Sequence, residues 1–131
     1  MKKLILLTIL SMICLNSIAQ TEYFRIIEAS YEIAGITTET IDIKPNQKIV
    51  DYSDNDIILM GNFLRYVKNS NEKVYSKEDY VGTKRLYIYD NEYIYVNRYD
   101  FGANDIITKV VYFLKYPNNS KTLRLDCIPY E

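Results

Sequence analysis

The 131 residues contain no histidine. That removes Ser-His and Cys-His nucleophile pairs, imidazole proton shuttles and nearly all ordinary catalytic zinc sites, leaving carboxylate, Tyr and Lys chemistry. Paired carboxylates hydrolyse glycosides only when held at a defined separation. With 17 Asp and Glu residues, neighbours in sequence arise by chance, and a domain this small leaves little room for a deep cleft once its core is filled. The sequence reads as non-catalytic, with no cofactor.

Cysteine is nearly absent as well. Of the two, Cys14 lies in an export signal: Lys2 and Lys3 precede an apolar stretch from Leu4 to Leu15, broken only by Thr8 and Ser11. That run is too short to span a bilayer as a helix. Ser17-Ile18-Ala19 then sets small residues where a signal peptidase needs them, so residues 1–19 are expected to be removed before Gln20. Lipid attachment at Cys14 is the minor alternative, because the bulky Met12 and Ile13 precede it. Loss of 19 residues from 131 leaves 112, and Cys127 is then alone, so no intramolecular disulfide forms. Burial must hold the fold, and a chain of this length buries roughly 65% of its unfolded surface. In Thr122-Leu123-Arg124-Leu125-Asp126-Cys127 the odd positions are apolar, which places Cys127 on a core face rather than as a reactive thiol.

No basic patch is present either. The leader takes two lysines and no acid, so 14 cations face 17 anions in the mature chain, a formal charge of −3. The cations are interleaved with acids, which argues against nucleic acid and against a membrane surface as partner. There is no Pro-, Gly- or Ser-rich linker, so residues 20–131 read as one domain, periplasmic or extracellular.

What the chain does carry is strand pattern. Thr40-Ile41-Asp42-Ile43-Lys44, the turn Pro45-Asn46 and Lys48-Ile49-Val50-Asp51-Tyr52 predict one hairpin. Ser53-Asp54-Asn55-Asp56 separates Ile49-Val50 from Ile57-Ile58-Leu59-Met60, with Gly61 next. The acids from Asp51 to Asp56 invite a calcium reading. Counted from Asp51, however, the sixth and twelfth positions of a hand-type loop would be Asp56 and Asn62 instead of Gly and Glu, and turn chemistry explains the same letters. In the last hairpin Ile106, Val110, Tyr112 and Leu114 share a face that meets Leu123, Leu125 and Cys127, while Lys109, Lys115, Arg124 and Asp126 take the other. Residues 22–34 fit a helical stripe through Phe24, Ile27, Tyr31 and Ala34, but the lack of a cap favours a strand. The expectation is an all-β fold, an antiparallel meander of about eight short strands closing as a small barrel or folding as a sandwich.

A signal ending in Ala-Gln, a long first strand, and Ile41-Asp42-Ile43 leading into Lys48-Ile49-Val50-Asp51-Tyr52 with its Asp-Asn turn resemble small exported bacterial β proteins of lipocalin-like form. The resemblance implies export and a β fold, and carries over no functional residue.

Fourteen tyrosines and no tryptophan are the conspicuous surplus. Tyr joins a broad ring to a polar tip, which suits recognition, though it is also a good strand former. In Leu86–Val96, a three-residue loop Asp90-Asn91-Glu92 pairs Tyr89 with Tyr93 and Tyr87 with Tyr95, making one face wholly Tyr. A two-residue loop at Asp90-Asn91 has better turn chemistry but mixes the faces. One-sided patterning favours the longer loop, so Tyr87, Tyr89, Tyr93 and Tyr95 are the candidate binding residues. The functional expectation is an exported binding module for a protein partner or a small ligand held in a barrel mouth, with a structural or assembly subunit of the cell envelope as the alternative.

Overall fold

The computed structural model describes residues 21–44, 47–52, 56–67, 73–76, 80–103 and 106–130. The predicted signal, Pro45-Asn46 and Ser53-Asp54-Asn55 lie outside them.

Ten strands follow in order: β1 (Glu22–Ile33), β2 (Ile36–Ile41), β3 (Lys48–Asp51), β4 (Ile57–Leu59), β5 (Asn62–Tyr66), β6 (Lys73–Ser76), β7 (Tyr80–Tyr89), β8 (Glu92–Ala103), β9 (Ile106–Lys115) and β10 (Lys121–Pro129). Eight of them close a ring in the order β1–β10–β9–β8–β7–β5–β4–β3 and back to β1, every pair antiparallel. Closure removes the edges that an open sheet would leave. The fold is therefore a small all-β barrel, and the sandwich alternative falls away.

The two long strands β1 and β7 divide their length between partners. Glu22 to Arg25 of β1 pair with β3, while Ala29 to Ile33 pair with β2 on the same edge. Likewise β6 pairs with Val81 to Lys84 of β7, and β5 with Tyr87 and Ile88. The predicted hairpin joining residues 40–44 to 48–52 does not form. The true partner of β2 is β1, across the tight turn Ala34-Gly35, and β3 then takes the next stretch of the same β1 edge.

A bulge between Ile26 and Glu28 explains the ambiguity of the first strand. Before it, Phe24 and Ile26 point inward; after it, Ala29 and Tyr31 do, and Ile27 is left exposed. One inserted residue turns a period of two into a spacing that imitates a helix.

Three hairpins turn through two residues of positive φ, Ala34-Gly35 (53° and 80°), Met60-Gly61 (50° and 82°) and Asp90-Asn91 (52° and 61°). Positive φ at both positions is the type I′ arrangement whose twist matches the flanking strands. The Asp90-Asn91 turn fixes the register as Tyr89 opposite Glu92, Ile88 opposite Tyr93, Tyr87 opposite Ile94 and Leu86 opposite Tyr95. This corrects the expectation of a three-residue loop. Asp and Asn tolerate the left-handed region, and their turn chemistry outweighs the one-sided patterning.

The last hairpin follows its pattern. Leu123, Leu125 and Cys127 face Leu114, Tyr112 and Val110. Ile106 departs from it and is 67% exposed, because the register shifts between Phe101 and Gly102 near the strand end. Leu125 is wholly buried among this set. Leu125→Ala is expected to cost about 2 to 5 kcal/mol of unfolding free energy in a denaturant titration. A loss under about 0.5 kcal/mol, as at ordinary surface positions, would remove it from the core.

Candidate functional site: the open mouth of the barrel

The two ends of the barrel are built differently. At one end Arg98 of β8 lies inward, with its guanidinium 5.0 Å from the Phe24 ring centroid. Its five N–H groups make five hydrogen bonds. Nε donates to Asp100 (2.6 Å), Nη1 to Glu22 (2.8 Å) and Asp51 (2.9 Å), and Nη2 to Glu22 (3.0 Å) and Asp100 (3.1 Å). The Tyr112 hydroxyl adds a 2.8 Å hydrogen bond to Asp51. Burial works against the Arg98 charge, yet the bonds to Glu22 and Asp100 and the charge of Asp51 hold its pKa above the ordinary value. Every donor of the guanidinium is satisfied, so the cluster is a plug that fastens β1, β3, β8 and β9 together.

The other end is open. Strand β1 and the hairpins β4–β5, β7–β8 and β9–β10 line a cup of about 390 Å³, a size at which small-molecule sites occur. Its floor is Leu59, Leu64, Ile94, Leu114 and Leu123, with Met60 at the wall. The rim is polar and aromatic: Tyr31, Tyr89, Tyr116, Asn62, Asn119 and Lys121. The Tyr89 hydroxyl donates to Asn62 Oδ1 at 3.0 Å, and Lys121 Nζ stands 4.9 Å from the Tyr31 ring centroid. Partial burial, followed by the charges of Glu92 and Asp90, raises the Tyr116 pKa. An apolar floor under a ring of hydroxyls, amides and one cation suits a small molecule with an apolar body and a polar end.

The four candidate tyrosines do not form one face. Tyr89 lines the cup; Tyr87 is 2% exposed in the core, 5.7 Å from the Tyr66 ring; Tyr93 and Tyr95 are 55% and 37% exposed on the outer surface. Tyr31 and Tyr116, which join Tyr89 at the rim, escaped the sequence reading. The bulge hid the parity of Tyr31, and Tyr116 gave no signal beyond its place before Pro117. Of the segment Asp51 to Asp56, Asp51 binds Arg98 and Tyr112, Asp56 Oδ1 accepts the Tyr66 N–H at 2.9 Å, and residues 53–55 lie outside the described residues. Among the described residues no cluster of three or more Cys, Asp or Glu side chains is arranged to hold a metal ion.

Three buried acids of the core respond to alkali. Burial first, then Asp126, pushes the Cys127 thiol from 9.0 up to about 12. Burial and the charge of Asp51 likewise raise the Tyr87 and Tyr112 phenols above their ordinary value of 10.0. All three are neutral in the folded state and ionise earlier in the unfolded one. The Cys127 contribution is therefore complete below pH 9 and is lost as the pH climbs towards 12, and that of the two phenols begins to fall off only as the pH passes 10.0. Unfolding free energy measured at rising pH should fall through this window, and less steeply in Cys127→Ala. A flat profile, or native Cys127 reacting with a thiol reagent at the rate of the unfolded chain, would contradict this placement.

Comparison with protein-family models, with curated proteins and with solved structures finds no match to this chain.

Proposed function

We propose that this chain is an exported, non-catalytic binding module that holds a small, mostly apolar ligand in the open mouth of its barrel. The observation that carries the reading is the asymmetry of the two ends. Among the described residues a salt-bridge cluster with every guanidinium donor satisfied crosses one end, and a cup with apolar floor and polar rim opens at the other. An eight-stranded barrel is just wide enough either to be filled by side chains or to hold one small ligand. The outward-facing Lys84, Lys109, Lys115, Arg124 and Asp126 around an apolar interior support a barrel in water, since a lipid-embedded barrel carries the reverse pattern.

The test is titration with an apolar fluorophore carrying one anionic group, such as anilinonaphthalene sulfonate, against the native protein and Leu123→Trp, in which the indole fills the cup. Saturable one-to-one binding, weakened at least about tenfold in the filled variant, is expected. Equal binding by both proteins, or none by either, would reject the reading.

The envelope-subunit alternative has one observation in its favour. Strand β2 ends the hydrogen-bonded path, its residues from Ile36 to Thr40 are exposed, and Ile36 is 70% exposed. An uncovered edge of this kind invites pairing with another chain. Concentration-dependent sedimentation abolished by Ile36→Lys would favour it.

A further inference from the structure

The outer face of β7, β8, β9, β10 and β1 is more than a solvated surface, because Val111, Gly82, Ser30, Glu32 and Asp126 are buried there. Arg124 and Lys109 lie against Glu32 and Asp126, and beside them stands a cross of side chains centred on Asn97. Lys84 and Phe113 are its neighbours across the strands, and Tyr95 and Tyr99 precede and follow it on β8. The Tyr99 ring lies over Gly82, where an added Cβ would come within 2.6 Å of a ring carbon, and meets the Phe113 ring edge-on at 5.6 Å. Lys84 Nζ stands 4.7 Å from the Tyr95 centroid. These walls bound a groove of about 560 Å³ that continues to Glu32, Gly35, Lys115, Pro117 and Thr122 and shares no lining residue with the cup.

Two features of the groove are unspent. Asn97 lines the groove, and its Oδ1 atom is shielded from solvent without a hydrogen-bond partner, a standing cost that a ligand donor reaching it would remove. Glu32 is taken up by Arg124 at 3.5 Å, whereas among the described residues neither Lys84 nor Lys115 is in an ion pair, so the free charge of the groove is positive. The matching ligand has an apolar face for the rings, hydroxyl donors for Asn97 and an anionic group for the lysines. A pyranose offers a C–H face rimmed by hydroxyls that both donate and accept, and its uronic form adds the carboxylate.

We propose that this outer groove binds an acidic saccharide. The sugar lies on the Tyr95, Tyr99 and Phe113 rings, the carboxylate draws Lys84 from the Tyr95 ring and pairs with it and Lys115, and a shift of the Asn97 side chain opens Oδ1 to one donating hydroxyl.

Calorimetric titration of the purified protein with tetragalacturonate, and with maltotetraose as the neutral comparator, tests this. Tetragalacturonate is expected to bind more tightly than maltotetraose. Asn97→Ala should weaken it about threefold to tenfold, the effect of one lost hydrogen bond. Lys84→Ala with Lys115→Ala should weaken it further and flatten its salt dependence, whereas Leu123→Trp should leave it unchanged. Melting curves establish that each variant is folded, and either the Asn97 or the double Lys variant suffices if the other is not. No binding at millimolar sugar, equal affinity for the two sugars, or unaltered binding in the folded variants would overturn the proposal.

Discussion

Arg98→Met is expected to lower the unfolding free energy by about 3 to 5 kcal/mol, the usual result of removing one partner from a buried ion cluster. The size follows from what stays behind. Asp51 is 2% exposed and loses the 2.9 Å bond from the guanidinium, while the Tyr112 hydroxyl still donates to it. Glu22 and Asp100 lose their bidentate partner in the same step, and three carboxylates at one barrel end are left without the cation that bridged them. Methionine has similar length and packs against Phe24, so the loss is electrostatic more than volumetric. Arg98→Lys should fall between, because a single ammonium with three donors cannot serve three carboxylates held by a planar fork of five. If uncompensated charge is the cause, combining Arg98→Met with Asp51→Asn should recover part of the loss, a non-additivity that a double-mutant cycle reads directly. A deficit below about 1 kcal/mol would mean that the pairs are screened as on an open surface, and that the plug does not hold β1, β3, β8 and β9 in register.

Neither the plug nor the cup was legible in the sequence, and for one reason. Arg98 meets Asp51 and Glu22 across separations of 47 and 76 residues, and no local pattern records a contact that closure of a barrel creates. Read along the chain, the same charges are only cations interleaved with acids. The cup likewise draws its lining from β1 and from hairpins that lie far apart in the chain. What local pattern does record came through where one face is apolar and the other solvated: the strand character of β1, the pairing of β9 with β10, and the burial of Cys127. It failed where an extra residue shifts the parity of a strand, as at the bulge of β1 and beside Gly102. It failed again at β2, whose sequence neighbour β3 occupies another part of the same β1 edge, so that chain order was a poor guide to pairing.

The β7–β8 hairpin turns the competition between pattern and turn chemistry into a measurable contrast between two residues of one type. In the register set by Asp90-Asn91, Tyr87 points into the barrel against Tyr66, while Tyr95 lies outside under Lys84. Tyr87→Ala removes a ring that is 2% exposed and leaves a cavity among close-packed side chains, at an expected cost of about 3 to 5 kcal/mol. Tyr95→Ala removes a ring that is 37% exposed. It forfeits a cation–π contact worth about 0.5 to 1 kcal/mol at an exposed site and a cross-strand pair of similar size, so its loss should stay near 1 kcal/mol. The three-residue loop would instead set both rings on one face, and the two substitutions would then cost about the same. Denaturant titration of the two single variants separates these registers. Near-equal losses would restore the four-tyrosine face, and a gap of 2 kcal/mol or more would place the turn at Asp90-Asn91, where positive φ at two adjacent residues decides which tyrosines the barrel keeps inside.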